Sequence, residues 1–123
     1  PPSACQHCKS TRIITAGPLY LGSIREQAFT RRVRDHITTE MGKANKADSI
    51  LEMVEGELET PTHYDQHRLC KKWTRSAIGM DEFIEQLQTA GFDATRTHYS
   101  GTAFKTDASV EEIRSATTDS DEI

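Results

Sequence analysis

The sequence predicts an α+β domain in which a small antiparallel sheet, including a C-terminal β-hairpin, packs with about five helices. Two observations predict this class. Apolar residues recur at helical spacing through most of residues 25–91, and the period then falls to two over residues 92–106. Because the helices come in a run rather than alternating with strands, an antiparallel sheet is favoured over a parallel one.

Extended backbone is predicted first, in residues 11–24 (TRIITAGPLYLGSI). The β-branched and aromatic residues of this stretch are interrupted by Gly17-Pro18 and by Gly22, which is typical of two short extended segments around a turn. From residue 25 the pattern becomes helical, and Gly42 is expected to end this first helix. Its apolar face recurs every fourth residue: Phe29, Val33, Ile37 and Met41.

Three further helices are predicted before the hairpin. Residues 64–74 indicate a short third helix, and residues 81–91 form the clearest helix, with Asp81 at the N-cap or in the first turn and Gly91 at the end. The second helix has an apolar face of Ala47, Ile50, Leu51, Val54 and Leu58. Four glutamates of the same segment lie mostly outside that face: Glu52, Glu55, Glu57 and Glu59.

The last part of the chain predicts a β-hairpin and one more helix. The strands cover residues 92–99 and 102–106 and are joined at Ser100-Gly101. Ser109 and Glu112 then have the spacing of a capping box, which marks a helix start. Residues 119–123 are polar and acidic, and we expect them to fray.

Composition limits the classes of function. The chain has 15 basic and 19 acidic residues and a formal charge of −4, so any nucleic-acid-binding surface has to be local. No apolar run is long enough to cross a membrane. The cysteines (Cys5, Cys8 and Cys70) are odd in number and no secretory signal precedes them, which favours a cytoplasmic setting. Since the chain does not begin with Met, we expect it to be part of a longer polypeptide.

Three cations lie close together in the predicted hairpin. A two-residue loop places Arg96 opposite Lys105 and puts His98 on the same face. Like charges opposite each other repel, and a phosphate or carboxylate between them makes the interaction favourable. The alternatives are cations that are simply solvated, and a longer loop that shifts the pairing.

Two further basic groups lie on predicted helices. One surrounds Trp73 and comprises Arg68, Lys71, Lys72 and Arg75; the other comprises Arg31, Arg32 and Arg34. A basic helix face of this kind can hold phosphates, and a solvated face is the alternative for either group.

Cys5 and Cys8 have the spacing of metal ligands. Structural zinc needs four ligands, commonly two such pairs, so the second pair would have to lie outside this chain. A thioredoxin-type redox site lacks the strand that should precede it. The sequence also contains no nucleotide-binding glycine loop and no recognisable nucleophile–base set, so the chain alone does not resemble a catalyst.

Four segments in order resemble one known family: CQHC, AGPLYLGSI, PTHYDQHRL and ATRTHYSGTAFKTDA. They are similar to the C-terminal part of the archaeal and eukaryotic tRNA (guanine-N2-)-dimethyltransferases, which modify guanine 26 of tRNA. The similarity runs from Cys5 to about Ile113. Two departures are Tyr20, where the family often has Trp, and Gly101, where Pro is frequent.

The resemblance implies a division of labour. An upstream Rossmann-like domain would bind S-adenosylmethionine and carry catalysis, while this chain would position the tRNA and support that domain. The predicted tRNA-contacting residues are Arg96, Thr97, His98, Lys105, Thr106, Lys71, Lys72 and Arg75. The hairpin residues among them match the family's motif, whereas Lys71, Lys72 and Arg75 are included because cations cluster there on an acidic chain. The implied interdomain residues are Gly17, Pro18, Leu19, Tyr20 and Gly22. Cys5 and Cys8 resemble the second of two zinc-binding cysteine pairs found in some members.

These implications divide the chain into three parts. Residues 1–10 end a zinc-binding or linker segment, residues 11–118 form the tRNA-binding and support domain, and residues 119–123 are an acidic tail. Two other roles stay open at this point. The chain could be a purely structural module that docks onto the catalytic domain, or a stand-alone winged-helix-like nucleic-acid-binding module.

Overall fold

The computed structural model describes residues 2–118, and the predicted acidic tail at 119–123 lies outside them. The α+β prediction is confirmed, with an antiparallel sheet in the order β1-β3-β2. In chain order the elements are α1 Gln27–Asp35, α2 Ala44–Gly56, β1 Tyr64–Asp65, α3 Gln66–Trp73, α4 Met80–Thr89, β2 Ala94–Arg96, β3 Ala103–Thr106 and α5 Val110–Ala116.

The register of the hairpin differs from the prediction. Arg96 pairs with Phe104, and Lys105 pairs with Thr95. The predicted pairing of Arg96 with Lys105 is therefore wrong by one residue, because residues 97–102 form a longer connection than the predicted two-residue loop. Since successive side chains of a strand alternate between faces, Arg96 and Lys105 lie on opposite faces of the sheet rather than on one.

The third strand also comes from an unexpected place. Residues 11–24, predicted to be extended, contain no strand, whereas Tyr64 and Asp65 pair with β3 as β1. These two residues stood at the start of the predicted third helix. The backbone N–H of Gln66 donates to Thr102 O at 2.8 Å, so the strand passes directly into α3 beside the hairpin connection.

Asp65 joins strand, helix and hairpin. Its Oδ1 accepts the backbone N–H of Arg68 at 3.0 Å and so caps α3, while the hydroxyl of Thr102 donates to Oδ2 at 2.8 Å. The hydrogen bond from Arg68 holds the pKa of the Asp65 carboxyl below its usual range, since it stabilises the ionised form. A cap of this kind contributes about 1 kcal/mol to helix stability.

The helix boundaries follow the predicted capping signals in two places and not in a third. The capping box of Ser109 and Glu112 is present at the start of α5, and Gly91 follows α4 with φ +96. The first helix, however, ends at Asp35 and not at Gly42, because His36 and the next residue donate their N–H groups to carbonyls three residues back, which tightens the last turn.

The core lies between the sheet and the last three helices. The rings of Phe83 on α4 and Phe104 on β3 meet edge to face with centroids 5.0 Å apart, a favourable geometry for aromatic pairs. The buried apolar cluster comprises Ile78, Met80, Phe83, Leu87, Ala94, Phe104, Ala108 and Ile113. By contrast, α2 buries none of its residues, so the α1–α2 pair lies outside this core.

Ion pairs connect α1 to α2. Arg31 Nε lies 2.8 Å from Glu55 Oε1, and Arg34 Nε lies 2.8 Å from Asp48 Oδ1. The Arg31 guanidinium holds the pKa of the Glu55 carboxyl below its usual range. Two of the three arginines of the predicted basic group in α1, Arg31 and Arg34, are thus paired with residues of α2, and the third, Arg32, lies over the ring of Phe29.

The topology is that of a winged helix. The chain order β1–α3–α4–β2–β3 combined with the sheet order β1-β3-β2 is the arrangement of such domains, in which the hairpin is the wing. The additional core helix is α5, which follows the hairpin and contacts α4. Among residues 2–118, no helix is long and apolar enough to span a membrane.

Candidate functional site

A buried group of charges lies beneath the hairpin connection, which we call the hairpin tip (residues 97–102). Glu57, the C-cap of α2, has a fully buried side chain, and its Oε1 accepts from His98 Nδ1 at 2.6 Å and from the His98 backbone N–H. Its Oε2 lies 3.6 Å from Lys105 Nζ, whose side chain is 1% exposed. We call Glu57 and Lys105 the buried charge cluster, and the exposed His98 of the hairpin tip is hydrogen-bonded to its carboxylate.

The buried charge cluster fixes the hairpin tip against the end of α2. Lys105 Nζ also donates to Leu58 O at 3.3 Å, and the backbone N–H of Leu58 donates to Thr95 Oγ1 at 3.1 Å. β2 ends at Arg96, and two residues further on the backbone N–H of His98 donates to Glu57 and not to β3. A buried carboxylate and a buried ammonium of this kind are tolerable only as a pair.

Three of the residues predicted to contact tRNA are buried. Thr97 and Lys105 are each 1% exposed, and Thr106 is 6% exposed, with its hydroxyl donating to Asp93 O at 2.6 Å. They contribute no accessible surface in this structure. Their polar groups hold the hairpin in place, so any contact with RNA has to come from the residues around them.

Arg96 is accessible and weakly held. Its guanidinium NH2 lies 2.8 Å from Asp81 Oδ1 in the first turn of α4, with side chains 40% and 91% exposed. Exposed ion pairs of this kind contribute little, typically 0–1 kcal/mol, because water screens both charges. A phosphate could therefore replace Asp81 as the partner of Arg96 at small cost.

Aromatic rings cover the outside of the hairpin tip. Tyr99 is 51% exposed and lies between two imidazoles, with ring centroids 4.6 Å from His63 and 4.4 Å from His98. Rings at an RNA-binding surface offer faces on which bases stack. His63 and His67 lie four residues apart, and neither belongs to a metal-binding group among residues 2–118.

The exposed side of α3 is basic. His67, Arg68, Lys71 and Lys72 are all exposed, and they follow directly from the hairpin tip, where Gln66 contacts Thr102. Arg68, Lys71 and Lys72 of the predicted basic group are among them, whereas Arg75, the fourth member, lies beyond the end of α3. We call these four residues the α3 basic face.

Arg75 has a structural task. Its guanidinium donates to Arg114 O at 3.1 Å and to Thr117 O at 2.9 Å, and it lies 5.5 Å from the centroid of the Trp73 ring. These bonds satisfy carbonyls at the C-terminal end of α5 that have no partner within the helix. Arg75 is thus less available to a phosphate than the two lysines of α3.

The helix that would read nucleic acid in a typical winged helix is acidic here. In helix-turn-helix domains the second helix enters the groove, and that position is held by α4. The exposed residues of α4 include Asp81 and Glu82 in its first turn and Glu85 further along, and these carboxylates repel phosphates. The arrangement therefore favours the hairpin tip and α3 over α4 as a nucleic-acid-binding surface.

Cys5 and Cys8 lie in one tight turn, in which Cys5 N donates to Ser10 O and Lys9 N donates to Cys5 O, both at 2.9 Å. Hydrogen bonds from the backbone N–H groups of Cys8 and then His7 lower the pKa of the Cys5 thiol. A thiolate stabilised in this way suits a soft metal ion. Within residues 2–118, however, no three His, Cys, Asp or Glu side chains are grouped to hold a metal.

The predicted interdomain segment projects its apolar side chains into solvent. Leu19, Tyr20 and Leu21 are 71%, 77% and 70% exposed. The Tyr20 ring folds over Gly22, where an added Cβ would lie only 2.5 Å from its hydroxyl oxygen, and that hydroxyl donates to Ser23 O at 2.8 Å. The glycine is therefore needed for the close approach of the ring.

Comparison with known proteins places this chain in a family. The family model described as N2,N2-dimethylguanosine tRNA methyltransferase matches residues 2–118. The chain belongs to this family. It is 84% identical over 122 residues to the tRNA (guanine(26)-N(2))-dimethyltransferase of Haloquadratum walsbyi, covering 99% of this chain and 32% of that protein. A relative with the same name from Methanosarcina barkeri is 44% identical, over 89% of this chain and 28% of that protein.

A solved structure of the family has the same fold. Trm1 from Pyrococcus horikoshii, in complex with S-adenosyl-L-methionine, superposes with a TM-score of 0.73 at 28% identity, over 81% of this chain and 27% of that one. The resemblance drawn from the four sequence segments is thus confirmed at the level of the family. The chain spans about a third of the length of the curated methyltransferases it matches.

Sequence reasoning missed the residues that organise this family member's hairpin. Glu57 was placed among glutamates mostly outside the apolar face of the second helix, yet its side chain is fully buried. Nothing in the local pattern separates it from Glu55 or Glu59, since its burial depends on Lys105, which lies far along the chain. Lys105 itself was interpreted as a surface cation because the register was shifted by one residue.

We expect Glu57→Gln to destabilise the chain by about 3 kcal/mol, because it leaves Lys105 buried without a charge partner. Urea unfolding followed by circular dichroism measures this loss. The double variant Glu57→Gln/Lys105→Met should recover much of it, since neither buried charge then remains.

Glu52→Gln is the matched control for that experiment. Glu52 lies on the same helix with a side chain that is 68% exposed and 3.6 Å from Arg34, so its loss should cost under about 0.5 kcal/mol. Equal effects of the two single variants would contradict a structural role for the buried charge cluster.

Proposed function

We propose that this chain is the tRNA-positioning part of an S-adenosylmethionine-dependent enzyme that forms N2-methyl- and N2,N2-dimethylguanosine at position 26 of tRNA. It also supports the catalytic domain, which we place upstream. The observation that carries this proposal is the α3 basic face, which continues into the hairpin tip on a chain whose net charge is −4. Family membership supplies the substrate class.

The charge distribution supports a positioning role. Contacts to phosphates fix the register of a bound nucleic acid, whereas contacts to base edges read its sequence. The α3 basic face offers ammonium and guanidinium groups without the fixed geometry needed for base reading. Because the exposed start of α4 is acidic, a bound RNA would be directed away from it and toward α3 and the hairpin tip.

We assign methyl transfer to a domain outside residues 2–118. S-adenosylmethionine supplies an electrophilic methyl group to the exocyclic amine of guanine, and that chemistry needs the base to reach the cofactor. The residues proposed here hold the body of the tRNA while this happens. Of the residues predicted to contact tRNA, Arg96, His98, Lys71 and Lys72 are the accessible candidates. Arg75 is half-buried, and Thr97, Lys105 and Thr106 are buried beneath the hairpin surface.

We expect the double variant Lys71→Ala/Lys72→Ala in the full-length protein to bind tRNA more weakly for all tRNA sequences. The plot of log K against log salt should become less steep by about two, since two phosphate contacts are lost. Filter binding between low and molar KCl measures both effects.

A control with equal loss of charge is Arg12→Ala/Lys43→Ala, since both residues are exposed and neither belongs to α3. It should leave the salt dependence unchanged. The RNA-positioning role is rejected if both double variants change affinity and salt slope alike. A variant that removes Lys105 is unsuitable as a test of RNA binding. It would break a buried ion pair, and weaker binding could then not be distinguished from unfolding.

Exposed apolar side chains favour docking as a second function. Leu19, Tyr20 and Leu21 present a compact apolar surface that nothing among the described residues covers, and surfaces of this kind mark interaction sites. We propose that the segment from Gly17 to Gly22 contacts the catalytic domain. Docking and RNA positioning are compatible, since the two surfaces use different residues.

We expect Leu19→Asp/Leu21→Asp to leave the stability of the 123-residue chain within about 0.5 kcal/mol, because both side chains are already exposed. In the full-length protein the same change should speed cleavage between the domains in limited proteolysis. Thr11→Asp/Thr15→Asp adds the same charge to the neighbouring exposed stretch and should not. Equal cleavage of the two variants argues against docking.

We also propose that Cys5 and Cys8 supply two of four zinc ligands, the other two lying outside residues 2–118. The full-length protein should then contain about one zinc per chain. Cys5→Ser/Cys8→Ser should abolish it, whereas Cys70→Ser, which changes a buried thiol in α3, should not. Metal analysis by mass spectrometry measures the content, and zinc retained in the double variant excludes this ligand pair.

A further inference from the structure

A groove separates α2 from the hairpin tip. It has a volume of about 280 Å³ and is lined by α2 on one side and by residues from β2 and the hairpin tip on the other. Its position was not predicted, because α2 and the hairpin lie far apart in the sequence. Pockets for small organic ligands begin at roughly 300 Å³, so this groove suits a single flat group and not a longer stretch of chain.

The floor of the groove is apolar and accessible. Ile50 and Met53 face it from α2, and Ile50 is 43% exposed. Neither residue belongs to the buried apolar cluster of the core, so both side chains are available to an apolar group in the groove. Flat heteroaromatic bases are commonly held between apolar or aromatic side chains of this kind.

Two cations and one imidazole lie around this apolar floor. Lys46 lines the groove and makes no ion pair with any residue among 2–118, Arg96 is held only by the exposed Asp81, and the imidazole of His98 is fixed through Nδ1. Since Glu57 holds Nδ1, the second ring nitrogen of His98 remains for another partner. An apolar floor with a cationic rim matches a nucleotide, which combines an apolar base face with an anionic phosphate.

The groove is held open before any ligand arrives. The buried charge cluster connects the end of α2 to the hairpin tip, so the two walls cannot collapse onto each other without breaking a buried ion pair. Binding to a preformed groove avoids the entropy cost of ordering its walls. The exposed ring of Tyr99 lies beside His98 and extends the stacking surface outward.

We propose that this groove binds one unpaired nucleotide of the RNA, with the base against Ile50 and Met53 and the phosphate beside Lys46. The inference rests on the proposed tRNA-positioning function and adds a contact that depends on an unstacked base. It predicts that the chain distinguishes a folded RNA with an extruded nucleotide from a continuous duplex, which the α3 basic face alone would not do.

The first test compares two variants of the full-length protein that each add one negative charge to α2. Ile50→Glu places a carboxylate in the groove, whereas Asn45→Glu places one on the exposed start of the same helix. We expect Ile50→Glu to weaken tRNA binding at least fivefold in filter binding and Asn45→Glu to change it less than twofold. Equal effects overturn the proposal, and absence of binding by the wild-type protein overturns the proposed function itself.

A second pair of variants covers the case in which Ile50→Glu fails to fold. Lys46→Ala removes the unpaired cation of the groove, and Lys43→Ala removes a lysine three residues earlier that lies outside it. The first should lower the salt slope of tRNA binding by about one, and the second should not. An identical salt slope for both variants rejects the phosphate contact.

Cross-linking identifies the occupant directly. A tRNA transcript carrying 4-thiouridine is irradiated with the full-length protein, and the linked peptides are sequenced. We expect cross-links from unpaired positions to the peptide of Met53 or to the hairpin tip. Cross-links to these peptides only from paired positions, or none from a tRNA that is bound, overturn the proposal. Normal tRNA binding by Ile50→Glu with faster interdomain proteolysis would assign the groove to a protein contact instead.

Discussion

The buried ion pair between Glu57 and Lys105 is the constraint on which the rest of this structure depends. One charge lies at the end of α2 and the other in the central strand, so the pair joins the outer helices to the sheet. Burying either charge alone would cost several kcal/mol. The end of α2 and strand β3 are therefore favoured in the arrangement that brings the two charges together. The Glu57 carboxylate also holds the imidazole of His98. The residues that join α2 to the sheet therefore support the exposed hairpin tip as well.

Charge is separated across the surface of an acidic chain. The exposed start of α4 carries carboxylates, whereas α3 and the hairpin tip carry the imidazoles and cations. An acidic helix at the reading position of a winged-helix-like topology is poorly suited to entering a groove of a duplex. This charge distribution agrees with the proposal that RNA is held from the side of the hairpin tip.

The proposed supporting role agrees with the family relationship, since the chain spans about a third of the length of the methyltransferases it matches. The proposal rests on three features: the α3 basic face, the exposed apolar side chains of Leu19–Leu21 and the turn of Cys5 and Cys8. Each is local in sequence, and for that reason each was visible before the fold was known.

The sequence by itself determined the α+β class, the existence and order of the helices, the capping box of Ser109 and Glu112, and the family. These features depend on periodicity, short-range hydrogen bonds and ordered motifs, all of which involve residues close together in the sequence. Only the tertiary structure decided the register of the hairpin, the short strand at Tyr64 and the burial of Glu57 and Lys105. Each of these depends on partners tens of residues away, and a shift of one residue in a strand is enough to move a cation from the surface into the interior.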